Sequence, residues 1–283
     1  AGIGTDNVDK EAASKAGIIV MNTPFGNMVT TAEHAIAMMF AVARQIPEAS
    51  ESTHAGKWEK SKFMGVELTG KTLGVIGAGN IGTELARRAI GFGMGVIAYD
   101  PLLKNHEFVD LVSLENLFAE ADYISLHVPL TAETKHLINA ERLEQMQAGV
   151  MLINCARGGL IDEAALADAI RSGHVAGAAL DVFENEPPTD RRLIEHPRVV
   201  ATPHLGASTH EAQERVGVEI AEKVREFLRG GQILDAVNFP SIGREDSARL
   251  APVMDLAARL GNFLGQIAEG GLRRLEVRTQ GSL

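Results

Sequence analysis

Three polar residues stand where short apolar runs end: Arg157 follows LINCA, Glu186 lies in the loop after ALDVF, and His204 follows VVATP. Together they offer what oxidation of a secondary alcohol requires. That reaction sends a hydride from carbon to an acceptor and a proton from oxygen to a base, and histidine suits the proton near neutral pH. A carboxylate beside the ring stabilises the imidazolium and fixes its orientation. A guanidinium grips a substrate carboxylate in a two-point contact and polarises the oxygen under attack. Taken singly, each residue has a plainer explanation. Arg157 reads as a surface residue, Glu186 as a loop charge, and His204 as a capping or core histidine among nine.

The segment GVIGAGNIG places Gly77, Gly79 and Gly82 in the spacing G-x-G-x-x-G, and Asp100 follows 18 positions after Gly82. Alone the pattern is weak, and a turn used only for packing is the alternative. Here it follows a strand-like run, opens a helical one and meets an acid at the end of the next strand, as a dinucleotide-binding turn requires. Gly77 allows the tight turn, Gly79 lets a pyrophosphate approach, and Gly82 lets helix and strand pack closely. The N–H groups at Asn80 and Ile81 then face the anion. Asp100 accepts hydrogen bonds from ribose hydroxyls and repels a 2′-phosphate, and Pro101 rather than an arginine follows it. NAD is therefore expected over NADP.

These residues need elements to hold them. Apolar runs at 72–77, 96–100, 123–128, 149–156, 175–182 and 199–204 read as strands, and 80–91 and 162–173 as helices between them. Strands this apolar are buried on both faces, which indicates a doubly wound parallel sheet of the α/β class. In such a sheet ligands bind outside the carboxyl ends of the strands, so the three polar residues and the glycine turn converge on one crevice. A further helix is expected over 29–46 with Thr30 or Thr31 as its cap. Long helices follow at 208–229 and 250–268, then a strand at LEVRTQ.

The 283 residues suffice for one large or two ordinary domains. The net charge of -10 argues against a nucleic-acid or anionic-membrane footprint, so an anionic substrate must be held by local basic groups. One cysteine, Cys155, rules out an intrachain disulfide and a cysteine-built zinc site, and fits a reducing, cytoplasmic setting. The apolar run 35–43 is shorter than the roughly 20 residues a membrane helix needs. No segment reads as a signal peptide. Opening on AGIGTDNVD and closing on LEVRTQGSL, the chain reads as a fragment cut at both ends. Nothing matches H-E-x-x-H, so no metal is expected, and the apolar face of its helix explains Glu33-His34.

The segments NCARGGLIDEAAL (154–166), GAALDVFENEPP (177–188) and TPHLGAST (202–209) resemble the characteristic blocks of the D-isomer-specific 2-hydroxyacid dehydrogenases. AGIGTDNVD (1–9), NTPFGN (22–27), TTAEHAIAMM (30–39) and KFMGVELTGKTLG (62–74) look most like the branch that oxidises 3-phosphoglycerate with NAD at the start of serine biosynthesis. The resemblance implies that His204 is the acid/base, that Glu186 is its carboxylate and that Arg157 binds and polarises the substrate. Glu184 lies close by, but the spacing of 29 from Arg157 prefers Glu186. Asp181 is implied near the nicotinamide amide, with Val128, Cys155, Gly206 and Ala207 along the cofactor groove. Cys155 is then a packing residue rather than a nucleophile. Asn22 and Asn27 are implied beside a phosphorylated 2-hydroxy acid.

By the same resemblance, residues 1–23 are the remnant of a substrate-binding domain and 24–207 an NAD-binding domain. Residues 208–232 return to the first, and 233–283 begin a C-terminal domain. A homodimer or homotetramer is implied through the helix at 29–46, whose apolar face needs a partner surface. Two rivals stand beside this reading: a hydroxypyruvate or glyoxylate reductase of the same family, and an NAD(H)-sensing protein like the transcriptional corepressors that share the fold.

Overall fold

Strands buried on both faces need apolar side chains at every position, and the runs above supply them. In the computed structural model, whose described residues are 2–5, 7–239 and 244–267, they form a seven-stranded parallel sheet. Its strands are β1 (Thr72–Ile76), β2 (Gly95–Tyr99), β3 (Asp110–Leu111), β4 (Tyr123–Leu126), β5 (Val150–Asn154), β6 (Val175–Leu180) and β7 (Val199–Ala201). Their order is β3-β2-β1-β4-β5-β6-β7. The chain builds outward from β1 in one direction, then returns and builds outward in the other.

The helices are α1 (Lys10–Lys15), α2 (Met28–Arg44), α3 (Ile46–His54), α4 (Asn80–Gly91), α5 (Leu114–Glu120), α6 (Ala140–Gln145), α7 (Glu163–Ser172), α8 (His210–Gly230) and α9 (Arg244–Ile267). Alternate side chains of each strand feed two cores. Leu73, Val75, Ala98, Ile153, Ala179 and Val200 meet α2 and α4 on one face. Ile76, Ile124, Leu126, Leu152 and Leu180 meet α5, α6 and α7 on the other. Fully burying one such side chain stabilises by about 1.5–3 kcal/mol, so the sheet is a rigid base for the loops at its ends.

Two compact units are present, Asn27–Glu214 and Ala1–Gly26 with Arg215–Leu283. The first holds the whole sheet. In the second, the buried Lys223 ammonium meets Glu219 at 2.6 Å, Asp235 at 2.8 Å and the Asn22 carbonyl at 2.9 Å. Met21 there forms an antiparallel bridge with Ala236.

Local signals explain most boundaries. Asp162 caps α7 by accepting from the Ala165 N–H at 3.0 Å, and Gly173 closes it with φ 82°. The cap expected for α2 is corrected: Asn27 stands at the N-cap, and Thr30 and Thr31 lie buried inside the helix. That helix stops two residues short of 46 because Gln45 turns left-handed at φ 51° and α3 starts beyond it with a proline in its first turn. The strand expected at LEVRTQ lies outside the described residues. Among the described residues, no helix is long and apolar enough to cross a membrane.

Candidate active site

The glycine-rich turn leaves the end of β1, where the neighbouring strands β2 and β4 carry the chain to opposite sides, the usual ligand crevice of such sheets. Gly77 has φ 96°, and a Cβ there would lie 2.7 Å from the His127 carbonyl and 2.8 Å from Val128 Cγ1. This contact brings Val128 to the turn. A Cβ on Gly82 would come within 2.0 Å of the Gly77 carbonyl oxygen, so α4 and the turn touch backbone to backbone. On Gly79, by contrast, a Cβ would meet nothing within 4 Å.

Gly79 caps α4 without a side-chain bond, and the first intrahelical bond runs from Thr83 N to its carbonyl at 2.9 Å. The N–H groups of Asn80, Ile81 and Gly82 therefore precede the helical ladder, and the helix dipole adds partial positive charge. Asp100 accepts from Ala78 N at 3.0 Å and from Leu102 N at 2.9 Å, so the acid is tied to the turn itself. An open, donor-lined turn with an acid at its flank fits a dinucleotide.

The second group of residues rides on β5, β6 and β7. Asn154, Leu180 and Ala201 are neighbours in register at the ends of these strands, so the three following loops leave side by side. The Asn154 amide shapes the first loop, donating to the Arg157 carbonyl at 2.9 Å and accepting from Ala156 N at 3.1 Å. Arg157 is half-buried and donates to the Ala156 carbonyl at 2.6 Å. A Cβ on Gly158 would fall 1.8 Å from the Phe183 carbonyl oxygen, so this loop abuts the one that carries Glu186. Glu186 accepts from Phe183 N at 3.1 Å and meets His204 Nδ1 at 2.7 Å. Glu184 turns elsewhere, to His136 Nε2 at 2.7 Å. With Nδ1 donating to Glu186, Nε2 of His204 is left with a lone pair.

His204 is an unusual residue to find at φ 56°. The left-handed backbone costs a residue with a Cβ about 1–2 kcal/mol, so its surroundings must enforce it. Asp181 does so from below. It is fully buried; Oδ1 accepts from the Thr202 hydroxyl at 2.6 Å and Leu205 N at 2.7 Å, and Oδ2 from Gly206 N at 2.7 Å. Its own carbonyl accepts from His204 N at 2.9 Å. Burial acts to raise the Asp181 carboxyl, but the bonds from His34, Thr202, Leu205 and Gly206 outweigh it and hold the group below its usual range.

Sequence reasoning missed His34. Its Nε2 lies 3.2 Å from Asp181 Oδ1 and 3.3 Å from Thr202 Oγ1. A signal was present, since Thr30, Thr31 and His34 form a polar stripe at helical spacing on an otherwise apolar helix.

The remaining expected residues fall as follows. Cys155 is buried, and burial, aided by the Asp181 charge, pushes its thiol well up. Its carbonyl faces Gly206, where a Cβ would stand 3.8 Å away. Ala207 is exposed at the end of the same loop. Asn27 keeps a buried Oδ1 without a hydrogen-bond partner among the described residues. Asn22 belongs to the other unit, and its side chain donates to the Ile3 carbonyl at 2.9 Å. Beside the glycine turn, His127 meets Ser125 Oγ at 2.8 Å, and burial pushes its imidazole down to about 4. No group of three or more His, Cys, Asp and Glu suited to a metal occurs among the described residues.

A family model described as D-isomer specific 2-hydroxyacid dehydrogenase, NAD binding domain, matches residues 36–206. The chain is 45% identical over 287 residues to D-3-phosphoglycerate dehydrogenase of Bacillus subtilis (strain 168), covering 100% of this chain and 55% of that protein. It is 49% identical over 288 residues to D-3-phosphoglycerate dehydrogenase of Synechocystis sp. (strain PCC 6803), covering 100% of this chain and 52% of the relative. The chain thus spans about half the length of these curated relatives. Among solved structures, a glyoxylate reductase from Paecilomyes thermophila aligns with a TM-score of 0.78 at 38% identity, over 83% of this chain and 73% of that one.

Proposed function

Since this chain belongs to the D-isomer-specific 2-hydroxyacid dehydrogenases and carries their NAD-binding domain, we propose that it serves the NAD-dependent oxidation of 3-phospho-D-glycerate to 3-phosphohydroxypyruvate, the first step of serine biosynthesis. The observation that carries the chemistry is the His204–Glu186 pair at 2.7 Å, set at the carboxyl edge of the same sheet as the glycine turn. The substrate assignment rests on the relatives named D-3-phosphoglycerate dehydrogenase, at 45% and 49% identity.

The roles follow from the atoms. His204 Nε2 takes the proton of the substrate hydroxyl, and Glu186 stabilises the imidazolium that forms. Arg157 binds the substrate carboxylate and polarises the oxygen that becomes the carbonyl. Gly77, Gly79, Asn80, Ile81 and Gly82 hold the pyrophosphate, and Asp100 holds the adenosine ribose. Asp181 lies near the nicotinamide amide, Val128, Cys155, Gly206 and Ala207 line the cofactor groove, and Asn22 and Asn27 serve the substrate. Bound NAD supplies the hydride acceptor, so the alcohol leaves as a keto acid with one hydride and one proton removed.

We further assign a homodimer or homotetramer in a cytoplasmic setting. Exposed Ile46, Trp58 and Met64 support self-association through the segment after α2, whose own apolar face is covered by the sheet. A single buried cysteine accords with a reducing compartment.

The test is a rate assay on the full-length protein with 3-phosphoglycerate and NAD, beside NADP, hydroxypyruvate and glyoxylate. Turnover that needs the phosphate and prefers NAD supports the assignment. Turnover confined to glyoxylate or hydroxypyruvate moves the substrate and keeps the mechanism. Cofactor binding without turnover on any hydroxy acid favours the sensor.

A further inference from the structure

We propose that His34 is a positioning residue for His204: its Nε2–H, lodged against the buried Asp181 carboxylate and the Thr202 hydroxyl, fixes the loop 202–206 in the backbone that presents the acid–base ring. The inference rests on His204 being the acid/base proposed above.

The proton on His34 Nε2 follows by elimination. The Thr202 hydroxyl gives its hydrogen to Asp181 Oδ1 at 2.6 Å, so only a lone pair faces His34 at 3.3 Å. The other neighbour, Oδ1 itself at 3.2 Å, is also an acceptor. A ring nitrogen between two acceptors must donate. Among the described residues, His34 is the only basic side chain paired with Asp181. Of the donors to this carboxylate, His34 is thus the one that comes from outside the loop 202–206.

That donor stands on a firm platform. Ala35, Ile36, Met38 and Met39 are buried and root α2 in the core. Three residues on one face of this helix reach points along the loop. Thr31 Oγ1 donates to the Gly206 carbonyl at 3.0 Å, Thr30 faces Thr209 at 3.5 Å, and His34 takes Asp181 and Thr202 between them. His204 lies inside the span so clasped. Losing the His34 donor removes the hold on Asp181 from α2, so the carboxylate can turn and carry with it Thr202 and Leu205, the two residues flanking the Pro203-His204 pair. A shift of about 1 Å in the ring costs roughly a hundredfold in rate without touching substrate.

The experiment compares His34→Leu, which has no donor, His34→Gln, which keeps an N–H of similar reach, and His204→Ala, all in the full-length protein. Readouts are kcat per NADH-binding site, KM for the hydroxy acid, NADH affinity and the thermal midpoint. His34→Leu is expected to lower kcat by roughly tenfold to a hundredfold with KM and NADH affinity little changed, and His34→Gln to recover most of it. Should His34→Leu fail to fold, His34→Asn, whose amide is too short to reach Oδ1, takes its place. Unchanged kcat per site in the donor-free variant overturns the inference, as does a loss that glutamine does not rescue. Full activity in His204→Ala overturns the acid–base assignment instead, and so separates the two failures.

Discussion

The turn after β1 and the loop after β7 each hold the backbone in one shape, by opposite means. The glycine turn is fixed by missing atoms: any Cβ at Gly77 or Gly82 would collide with carbonyl oxygens at 2.7 and 2.0 Å. The His204 loop is fixed by an added charge, the buried Asp181 carboxylate, whose acceptor oxygens gather N–H and O–H groups from residues 202, 205 and 206. The first device leaves an open floor at Gly79 for an anion. The second holds a side chain up to solvent, with the His204 side chain 51% exposed. One region leaves room for a ligand; the other holds up the side chain proposed above as the proton acceptor.

The largest expected effect breaks the aimed side chain. His204→Ala removes the proposed base, and in the full-length protein kcat is expected to fall by about 10²–10⁴ while NADH binding, measured by fluorescence, persists. Loss of both together would mean that the two regions are not separable. Next come the glycines. Gly82→Ala forces backbone against backbone and destabilises by about 1–3 kcal/mol or more, whereas Gly79→Ala melts within about 0.5 kcal/mol of wild type yet binds NADH more weakly. A Gly82→Ala protein that melts normally would sink the steric account of the turn.

Acid unfolding gives a third, smaller test. His127 has a folded value of about 4 against 6.5 in the unfolded chain. The unfolded chain therefore takes up that proton first, and stability declines as pH falls from 6.5 toward 4. Asp181 is held below its usual range, so its contribution is complete above the unfolded value of about 3.9 and fades only as pH drops through the folded one. Denaturant melts across pH should show the upper arm vanish in His127→Asn and the lower arm in Asp181→Asn. The smallest effect concerns Cys155. Its raised thiol and burial predict negligible alkylation by iodoacetamide at pH 7.5 in the native state and ready reaction in urea; native-state labelling would contradict the packing role.

The same contrast explains what could be read in advance. The strands from β1 to β7 other than β3, and the glycine turn, depend on neighbours along the chain, so composition and spacing betray them. β3 has two residues, and α5 and α6 have seven and six; segments so short carry almost no periodicity. Arg157, Glu186 and His204 were legible as residues at strand ends, and resemblance tied them to roles. The support beneath them was not. His34 and Thr202 lie 168 positions apart, and no local pattern announces a contact that only sheet order creates. A polar stripe on α2 was the sole trace.

The backbone at residue 204 sets a conflict for anyone improving this protein. Glycine occupies φ 56° freely and would relieve a cost of about 1 kcal/mol, yet it deletes the imidazole. Selection for heat resistance alone does not protect the imidazole, so consensus-style stabilisation must hold residue 204 fixed to keep the side chain proposed as the base.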